Sequence, residues 1–461
     1  MNMIPTISQA ARDIAAGKLS PVALTEACLA RVDAAESRIN SFILQTRKAA
    51  LASARAAEAE LKAGRRRGPL HGIPIAHKDI YETAGIATTA HSKLLQTYVP
   101  ARDAFTVTKL AEAGVSVLGK LATHEFAWGG PSFDLPWPPA RNPWNTAHFT
   151  GGSSSGTGAA IAAGFILGGT GTDTGGSIRT PAAFCGVAGI KPTYGLASRA
   201  GIQPLAFSMD HAGPLAWTVE DCALLLQIMA GHDPSDPASA TAAVPDFTAA
   251  LTGGVRGLRV GVIRHFFTHD TPIADDVGAA MDASLGVLGK LGATVRDVTL
   301  PPLQDWFACG MLMMISEAYS VHEPWLKSRY ADYGEFFRDR CALGAFITAP
   351  DYMAALRMRR ELRVALAKVM QDVDVLVLPT TSTAAPRFEA MTKYGSFDAP
   401  SFTMPFNVAG TPALSVCNGF STAGLPLSLQ IVGRPFEDAT VLRVGHAYEL
   451  VTAWRERRPA L

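Results

Sequence analysis

The amino-terminal part of the chain has the amphipathic pattern of apolar and polar positions that is typical of helices. Thr6 and Gln9 match a capping box at the start of a first helix. Ser20 before Pro21 matches an N-cap with proline at the first helical position, and a third, alanine-rich helix is predicted over 46–63. We therefore expect helices here before any strand appears.

Short β-branched runs alternate with helical stretches from Leu70 onward. The runs are IPIA, VSVLGK, GLRVGVI, VDVLVLPT and LSLQIVG. Strands that alternate with helices predict an α/β fold that contains parallel strand pairs. No linker rich in glycine, serine or proline divides the chain and no repeat is visible, so we expect one large domain over 1–461.

The segment 129–147 is crowded with proline and tryptophan, as in PSFDLPWPPARNPWN. Such a composition predicts a fixed loop rather than a helix or a central strand. A fixed loop can hold binding groups or can serve only as a rigid connection, and the pattern leaves both open.

The composition limits the kinds of molecule that the protein is expected to bind. The 461 residues include 41 Lys and Arg against 40 Asp and Glu, a net charge of +1, which gives no electrostatic reason to expect nucleic acid or an anionic membrane. The six cysteines show neither close pairs nor zinc spacing, which indicates reduced thiols in a cytoplasmic protein. Neither a signal peptide nor a run of 18 apolar residues is visible, so we expect no membrane association and a small-molecule ligand.

The glycine and serine segment 151–181 allows three chemical interpretations. A phosphate cradle would need the GK[ST] ending of a P-loop or a GxGxxG after a strand, and both are absent. A GxSxG nucleophile elbow would make Ser154 the nucleophile, but no buried strand is predicted before it. The sequence around the histidines also marks none of them as the base that an elbow needs. The third interpretation makes Ser177 the nucleophile, with a glycine-rich turn of no chemical role as its alternative.

Ser177 follows Thr174, Gly175 and Gly176, whose backbone N–H groups can point unobstructed at a carbonyl oxygen as it becomes an oxyanion. A serine nucleophile also needs a base within hydrogen-bond reach. Lys78, at the end of an apolar run, can be that base if burial lowers its pKa from about 10.4 by several units. An ordinary surface lysine is the alternative.

Three stretches, GPLHGIPIAHKDI, GGSSSGTGAAIAAG and GTDTGGSIRTPAAFCGVAGIKPTYGLASRAG, resemble the amidase signature family of Ser-cisSer-Lys hydrolases. The match is densest over a core region, 69–214, and returns in FNVAGTPALSV and GLPLSLQIVGRPFEDATVLRVGHAYE. The resemblance implies a mixed, twisted β-sheet covered by helices on both faces. In that fold, 1–64 forms the N-terminal helices, and 255–461 supplies the rest of the sheet and elements of the substrate pocket.

Carried over by position, the resemblance makes Ser177 the nucleophile, Ser153 the bridging serine and Lys78 the neutral proton acceptor. Ser153 would follow Gly152 through a cis peptide bond, and its separation of 24 positions from Ser177 agrees with the family pattern. The oxyanion would be bound by the backbone N–H groups around the nucleophile that are named above. The implied reaction is hydrolysis of a carboxylic amide, with esters and carbamates also open, and it needs neither metal nor cofactor.

The resemblance also suggests residues on the substrate side. Ala127, Trp128 and Gly129 correspond to a segment that lines the acyl pocket in relatives, and Ser154 is expected to hydrogen-bond near Lys78. The Met-, Phe- and Tyr-rich stretch over 306–353 is expected to enclose the pocket, which favours aryl or alkyl acyl groups.

Four further residues keep two interpretations each. Arg338, Arg340 and Lys327 either bind a substrate carboxylate or lie on the surface, the simpler interpretation. His77 either tunes the neighbouring lysine or is a structural imidazole.

Two alternatives to a stand-alone hydrolase remain. One is the amidase subunit of a tRNA-dependent amidotransferase, which releases ammonia from glutamine. It typically has a stretch like MDEFAMGSSTENS where this chain has THEFAWGGPSFDLPWPPA, and FDAPSFTMPFNVAG matches its counterpart only loosely. The other is a non-catalytic binding protein, which the presence of all three relay residues disfavours. We predict a stand-alone hydrolase without nucleic acid, and a homodimer stays open.

Overall fold

One mixed sheet of eleven strands runs through the molecule, and the computed structural model describes residues 4–461. The strands are β1 Phe42–Gln45, β2 Pro74–Lys78, β3 Ser116–Leu121, β4 Gly168–Asp173, β5 Ala188–Lys191, β6 His211–Ala216, β7 Arg259–Val262, β8 Thr294–Asp297, β9 Val375–Pro379, β10 Ala413–Phe420 and β11 Pro426–Val432. Their order across the sheet is β1-β3-β2-β4-β6-β5-β10-β11-β9-β7-β8.

Parallel and antiparallel pairs both occur in this sheet. Strand β2 is parallel to β3 and β4, and β7 is parallel to β8 and β9. The remaining neighbours are antiparallel, including β4 with β6 and β10 with both β5 and β11. The expected α/β fold with a mixed sheet is confirmed, and the shared sheet makes the molecule a single domain.

Fourteen α-helices flank the sheet within the described residues. They are α1 Ile7–Ala15, α2 Pro21–Ile39, α3 Arg47–Lys62, α4 Phe105–Glu112, α5 Ser155–Ala162, α6 Arg179–Cys185, α7 Val219–Met229, α8 Phe247–Ala250, α9 Asp275–Lys290, α10 Leu303–Ser328, α11 Glu335–Ala342, α12 Ala349–Val369, α13 Met404–Ala409 and α14 Asp438–Leu450. None of the helices in residues 4–461 combines the length and the hydropathy needed to cross a bilayer.

The amino-terminal helices begin where the capping residues predict. Thr6 Oγ1 accepts the N–H of Gln9 at 3.1 Å, and the reciprocal half of the capping box is also formed. Ser20 Oγ accepts the N–H of Val22 at 3.1 Å before Pro21 begins α2. The segment 129–147 contains neither a helix nor a named strand, as its composition predicts.

The central strands are buried on both faces. Every residue of β9 and β11 is buried, which explains why their sequences are almost continuously apolar rather than alternating. Strand β4 is equally buried but, before its final Asp173, consists of glycine and threonine. A Cβ at Gly169 would lie 2.9 Å from the Ala76 carbonyl oxygen and from Thr157 Cγ2, so glycine allows this close packing.

The parallel pairing of β2 and β4 places the candidate residues together. Lys78 ends β2 and Asp173 ends β4. Because carboxyl ends of parallel neighbours lie at the same edge of a sheet, the lysine and the loop over 174–177 face one another there.

Candidate active site

Lys78 is completely buried at the end of β2. Its Nζ donates to Ser153 Oγ at 2.7 Å and to Thr172 Oγ1 at 2.8 Å. Burial lowers the pKa of Lys78 to about 7, although the charges of Asp173 and Asp210 act in the opposite direction. An amine with this pKa is substantially neutral near pH 7 and above, so it can accept a proton from a hydroxyl.

Ser153 lies between the lysine and a cavity. The peptide bond from Gly152 to Ser153 is cis. The Ser153 carbonyl accepts the N–H groups of His124 at 3.1 Å and of Ser155 at 2.8 Å. A Cβ at position 152 would lie 2.0 Å from the His124 ring, so only glycine fits there.

Asp173 fixes the shape of the loop over 174–177. Its carboxylate accepts the N–H groups of Gly176 at 2.8 Å and of Ile178 at 3.1 Å, and it pairs with Arg179 at 2.8 Å. Burial opposes the charged form, but the charge and hydrogen bonds of Arg179 hold the pKa of Asp173 below its usual range. The loop is therefore held by a buried, hydrogen-bonded ion pair.

Arg179 extends this network to the carboxyl-terminal part of the chain. Its guanidinium donates to the Thr403 carbonyl at 2.9 Å, to Gln430 Oε1 at 2.6 Å and to Asn407 Oδ1 at 2.5 Å. With this geometry, Arg179 holds α13 and β11 against the loop rather than contacting a ligand.

Three backbone N–H groups of the loop have no hydrogen-bond partner among residues 4–461: those of Thr174, Gly175 and Ser177. All three residues line the cavity. Gly176 departs from the prediction, because its N–H donates to Asp173 and it is absent from the cavity wall. Gly176 is needed for conformation instead, since its φ is +133° and a Cβ would lie 2.3 Å from Thr403 Oγ1.

The Ser177 side chain is partly exposed in the same cavity that Ser153 lines. Its hydroxyl makes no hydrogen bond within the described part of the chain, whereas its carbonyl accepts the N–H of Ser154 at 3.1 Å. An accessible serine, free N–H groups and a buried amine of lowered pKa are the parts that acyl transfer requires.

The family model named Amidase matches residues 23–442. The chain belongs to the amidase family. The amidase is 41% identical to a glutamyl-tRNA(Gln) amidotransferase subunit from Chloroflexus aggregans, over 99% of this chain and 98% of that protein.

Solved structures resemble the amidase over nearly its whole length. One is an inhibitor-bound complex from work on a vestigial protein complex and the origins of an s-triazine catabolic enzyme, with 33% identity, a TM-score of 0.91 and coverage of 96% of this chain and 98% of that one. Another is a native peptide amidase from Stenotrophomonas maltophilia, with 32% identity, a TM-score of 0.86 and coverage of 99% and 98%. The amidase is therefore an amide-hydrolysing enzyme.

The cavity beside Ser177 has a volume of about 470 Å³. The predicted segment of Ala127, Trp128 and Gly129 lines it. Further apolar walls come from Phe307, Met311 and Met314 of α10 and from Met404 of α13. Methionine side chains are flexible and polarisable, so this wall adapts to apolar groups of different shape.

Arg340 brings a positive charge into the same cavity. It is buried, its guanidinium lies 5.7 to 6.0 Å from the rings of Trp128, Phe336 and Phe397, and its Nε donates to the Lys393 carbonyl. No carboxylate in residues 4–461 pairs with it, and burial lowers its pKa to about 10. The surface interpretation of Arg340 is wrong, because the side chain is buried among aromatic rings. The local sequence does not reveal this arrangement.

Ser154 does not reach the cavity, contrary to its assignment as a substrate contact. It is completely buried, and its Oγ exchanges hydrogen bonds with the backbone N–H and carbonyl of Thr172, each at 3.3 Å. This position also contradicts the elbow hypothesis, since an elbow nucleophile must be accessible. The expectation that Ser154 bonds near Lys78 agrees with its link to Thr172.

The other open residues take structural or surface positions. His77 is buried, stacks on Tyr81, and burial lowers its pKa to about 3. Arg338 pairs with its neighbour Asp339, and Lys327 pairs with Glu323 one helical turn away.

Sequence reasoning missed three residues that support the site. Thr172 is the second partner of Lys78, and Asp210 accepts the Thr174 hydroxyl at 2.5 Å. His124 lines the cavity next to Ser153. The position of Thr172 inside the matched motif was an available signal, whereas nothing in the local sequence marks Asp210.

Proposed function

We propose that this amidase hydrolyses small-molecule amides through an acyl-enzyme on Ser177, with Ser153 and Lys78 as the proton relay. The observation that supports it most is the hydrogen bond from the buried Lys78 Nζ to Ser153 Oγ, beside a cavity that also exposes Ser177. No cofactor enters the mechanism.

In the acylation step, Ser177 Oγ bonds to the amide carbonyl carbon. Its proton passes to Ser153 Oγ, while the Ser153 proton passes to neutral Lys78. The carbonyl oxygen becomes an oxyanion, which the free N–H groups of Thr174, Gly175 and Ser177 stabilise.

The C–N bond then breaks as the relay returns its proton to the leaving amine, and the acyl group stays on Ser177. In deacylation, water attacks the ester with the same relay as base, and the carboxylic acid is released. Each proton that leaves a nucleophile in this cycle is given back to a leaving group, so the relay ends each half-reaction as it began.

The cavity wall supports an acyl group with an apolar body. Phe307, Met311, Met314 and Met404 border it, and Arg340 can bind an acceptor atom or a carboxylate on the same ligand. The volume of about 470 Å³ is in the range of sites for drug-sized ligands. We therefore propose aryl or alkyl amides as the substrate class.

Labelling with a fluorophosphonate tests the relay. We expect one adduct on Ser177, found by peptide mass mapping, and strongly reduced labelling of Lys78→Ala. Ser154→Ala serves as the matched control and should label like the wild type. An adduct on Ser154 that forms equally in the wild type and in Lys78→Ala would contradict the mechanism.

The second candidate is an amidotransferase subunit, which the 41% identity to a protein of that name favours. As such a component, the chain would take glutamine as its amide and would act with partner subunits and tRNA. Purified protein that hydrolyses apolar anilides alone, and glutamine poorly, supports the stand-alone enzyme. Glutamine turnover that depends on a co-purifying protein would instead support the amidotransferase subunit.

A further inference from the structure

A second cavity, of about 500 Å³, lies away from the active site and shares no lining residue with it. Helix α12, the end of α13 and the chain after β11 form its walls. Four arginines line it: Arg359, Arg360, Arg363 and Arg434. We call this cavity the arginine groove.

Positive charge in the arginine groove is poorly compensated. Arg360 and Arg363 have neither a hydrogen bond nor an ion pair within residues 4–461. Arg434 lies 3.3 Å from Asp374, but Asp374 also pairs with Arg259 at 2.8 Å. Arg434 therefore shares its carboxylate with an arginine outside the groove, and Arg359 has only the charge of Glu317, with which it forms no ion pair.

Arg359 is fixed in the wall of the arginine groove, close to a second arginine. Its Nε donates to the Val408 carbonyl at 2.8 Å and its Nη2 to the Ser208 carbonyl at 3.0 Å, which fixes the guanidinium in the wall. Arg363 follows it by four positions, the spacing at which like charges on a helix repel. Burial and this neighbouring charge lower the pKa of Arg359. A bound anion would relieve the repulsion.

Apart from Thr411, the rest of the arginine groove is apolar. Leu356, Leu366, Met370, Ala409 and Pro435 line it beside the arginines. A bare inorganic ion would leave this surface uncovered, so the lining matches a ligand that has both an apolar body and negative charge. A concave site of this volume on a chain of net charge +1 fits a small molecule better than the long basic track that nucleic acid requires.

We propose that the arginine groove binds an organic anion of about nucleotide size, with at least two negative charges and a flat or aliphatic apolar part. The charges are carried by phosphate or carboxylate groups, which guanidinium groups recognise with the same paired hydrogen bonds. The ligand occupies this site at the same time as substrate occupies the active site, because the two cavities have separate walls.

Calorimetric titration at physiological ionic strength, where unspecific surface attraction is screened, tests the proposal. The probes are ADP for phosphate, octanedioate for carboxylate, and adenosine as the uncharged control. We expect saturable one-to-one binding of ADP or octanedioate and none of adenosine. Which of the two anions binds distinguishes the sources of charge.

Variants locate the site. Arg360→Gln with Arg363→Gln should weaken binding at least tenfold, while the labelling of Ser177 by fluorophosphonate stays unchanged. Arg357→Gln, an exposed arginine of the same helix outside the arginine groove, is the matched control and should bind like the wild type.

Three results would overturn the proposal. The first is that neither anion binds, and the second is that the double variant binds as tightly as the wild type. The third is that a covalent inhibitor on Ser177 displaces the probe, which would put the probe in the active site. Because labelling of Ser177 is scored separately, failure here leaves the proposed function untouched.

Discussion

At the scale of single residues, the protonation state of Lys78 decides whether the proposed relay can work. Because burial lowers its pKa to about 7 and only the neutral amine accepts a proton, kcat/KM should rise from pH 6 to pH 8 with a midpoint near 7. A pH series with a chromogenic anilide measures this profile. Lys78→Ala should lose about 10²–10⁴-fold in rate, the usual contribution of a general base.

A flat profile across that interval in the wild type would exclude Lys78 as the titrating base. A pH series on the Ser154→Ala variant, whose buried hydroxyl only bonds to the backbone of Thr172, controls for general damage to the site.

A second prediction compares the variants Ser177→Ala and Ser154→Ala. Ser177→Ala should abolish both turnover and fluorophosphonate labelling, because it removes the nucleophile. Ser154→Ala should keep both, and should lower the free energy of unfolding by about 1 kcal/mol for its lost hydrogen bonds. Intact-protein mass spectrometry and urea unfolding provide the two readouts, and loss of labelling in Ser154→Ala would contradict the assignment.

The identities of the relay residues could be predicted from the sequence because the family resemblance fixes their spacing. The position of Arg340 could not, because two of the rings around it, those of Trp128 and Phe397, come from distant parts of the chain. Only Phe336 lies on the same helix, four positions before Arg340. Ser154 shows the reverse error, because a hydroxyl inside a motif need not face the cavity.

At the scale of elements, the loop between β4 and α6 depends on glycine at position 176. Its φ of +133° and the 2.3 Å approach of an added Cβ to Thr403 Oγ1 both oppose a side chain. Gly176→Ala should cost roughly 1–3 kcal/mol of stability and disable acylation. Gly286→Ala, in α9 with no atom within 4 Å of the added Cβ, should keep full activity and gain about 0.5–1 kcal/mol. Thermal unfolding and burst kinetics compare the two, and equal effects would contradict this role.

The ion pair beneath the same loop gives another prediction. Arg179→Met should leave the Asp173 carboxylate buried without its partner and destabilise the protein by about 3–5 kcal/mol. Lys327→Met, which breaks an exposed pair on α10, should change the urea midpoint too little to measure. Similar midpoints for the two variants would contradict the importance of the buried pair.

Strand β4 is an example of an element that hydrophobic periodicity does not predict. The runs that became β2, β3, β7, β9 and β11 are apolar and β-branched, so their prediction follows from hydrophobic periodicity. Strand β4, GGTGTD, has neither feature and looked like part of a glycine-rich turn. Its glycines are explained only by the close approach of neighbours such as Ala76 and Thr157, which tertiary packing provides.

At the scale of the whole molecule, β10 lies between β5 and β11 and joins distant parts of the chain. Because both parts share one sheet, urea should unfold them together. Tryptophan fluorescence and loss of Ser177 labelling should follow the same transition. Two separated transitions would show that the parts fold independently. This strand order could not be read from local patterns, since it depends on pairings such as that of Lys191 with Ala413.

The anchoring of Arg179 also has a consequence for how the enzyme is made in the cell. Its partner Gln430 follows it by 251 positions, so at a translation rate of about 5–20 residues per second it is synthesised roughly 13–50 s later. Until then the ribosome-bound chain lacks the bond that anchors Arg179, and with it the nucleophile loop, to β11. We therefore expect the hydrolase to become competent only after its last strands emerge, and incomplete translation products to be inert toward cellular amides.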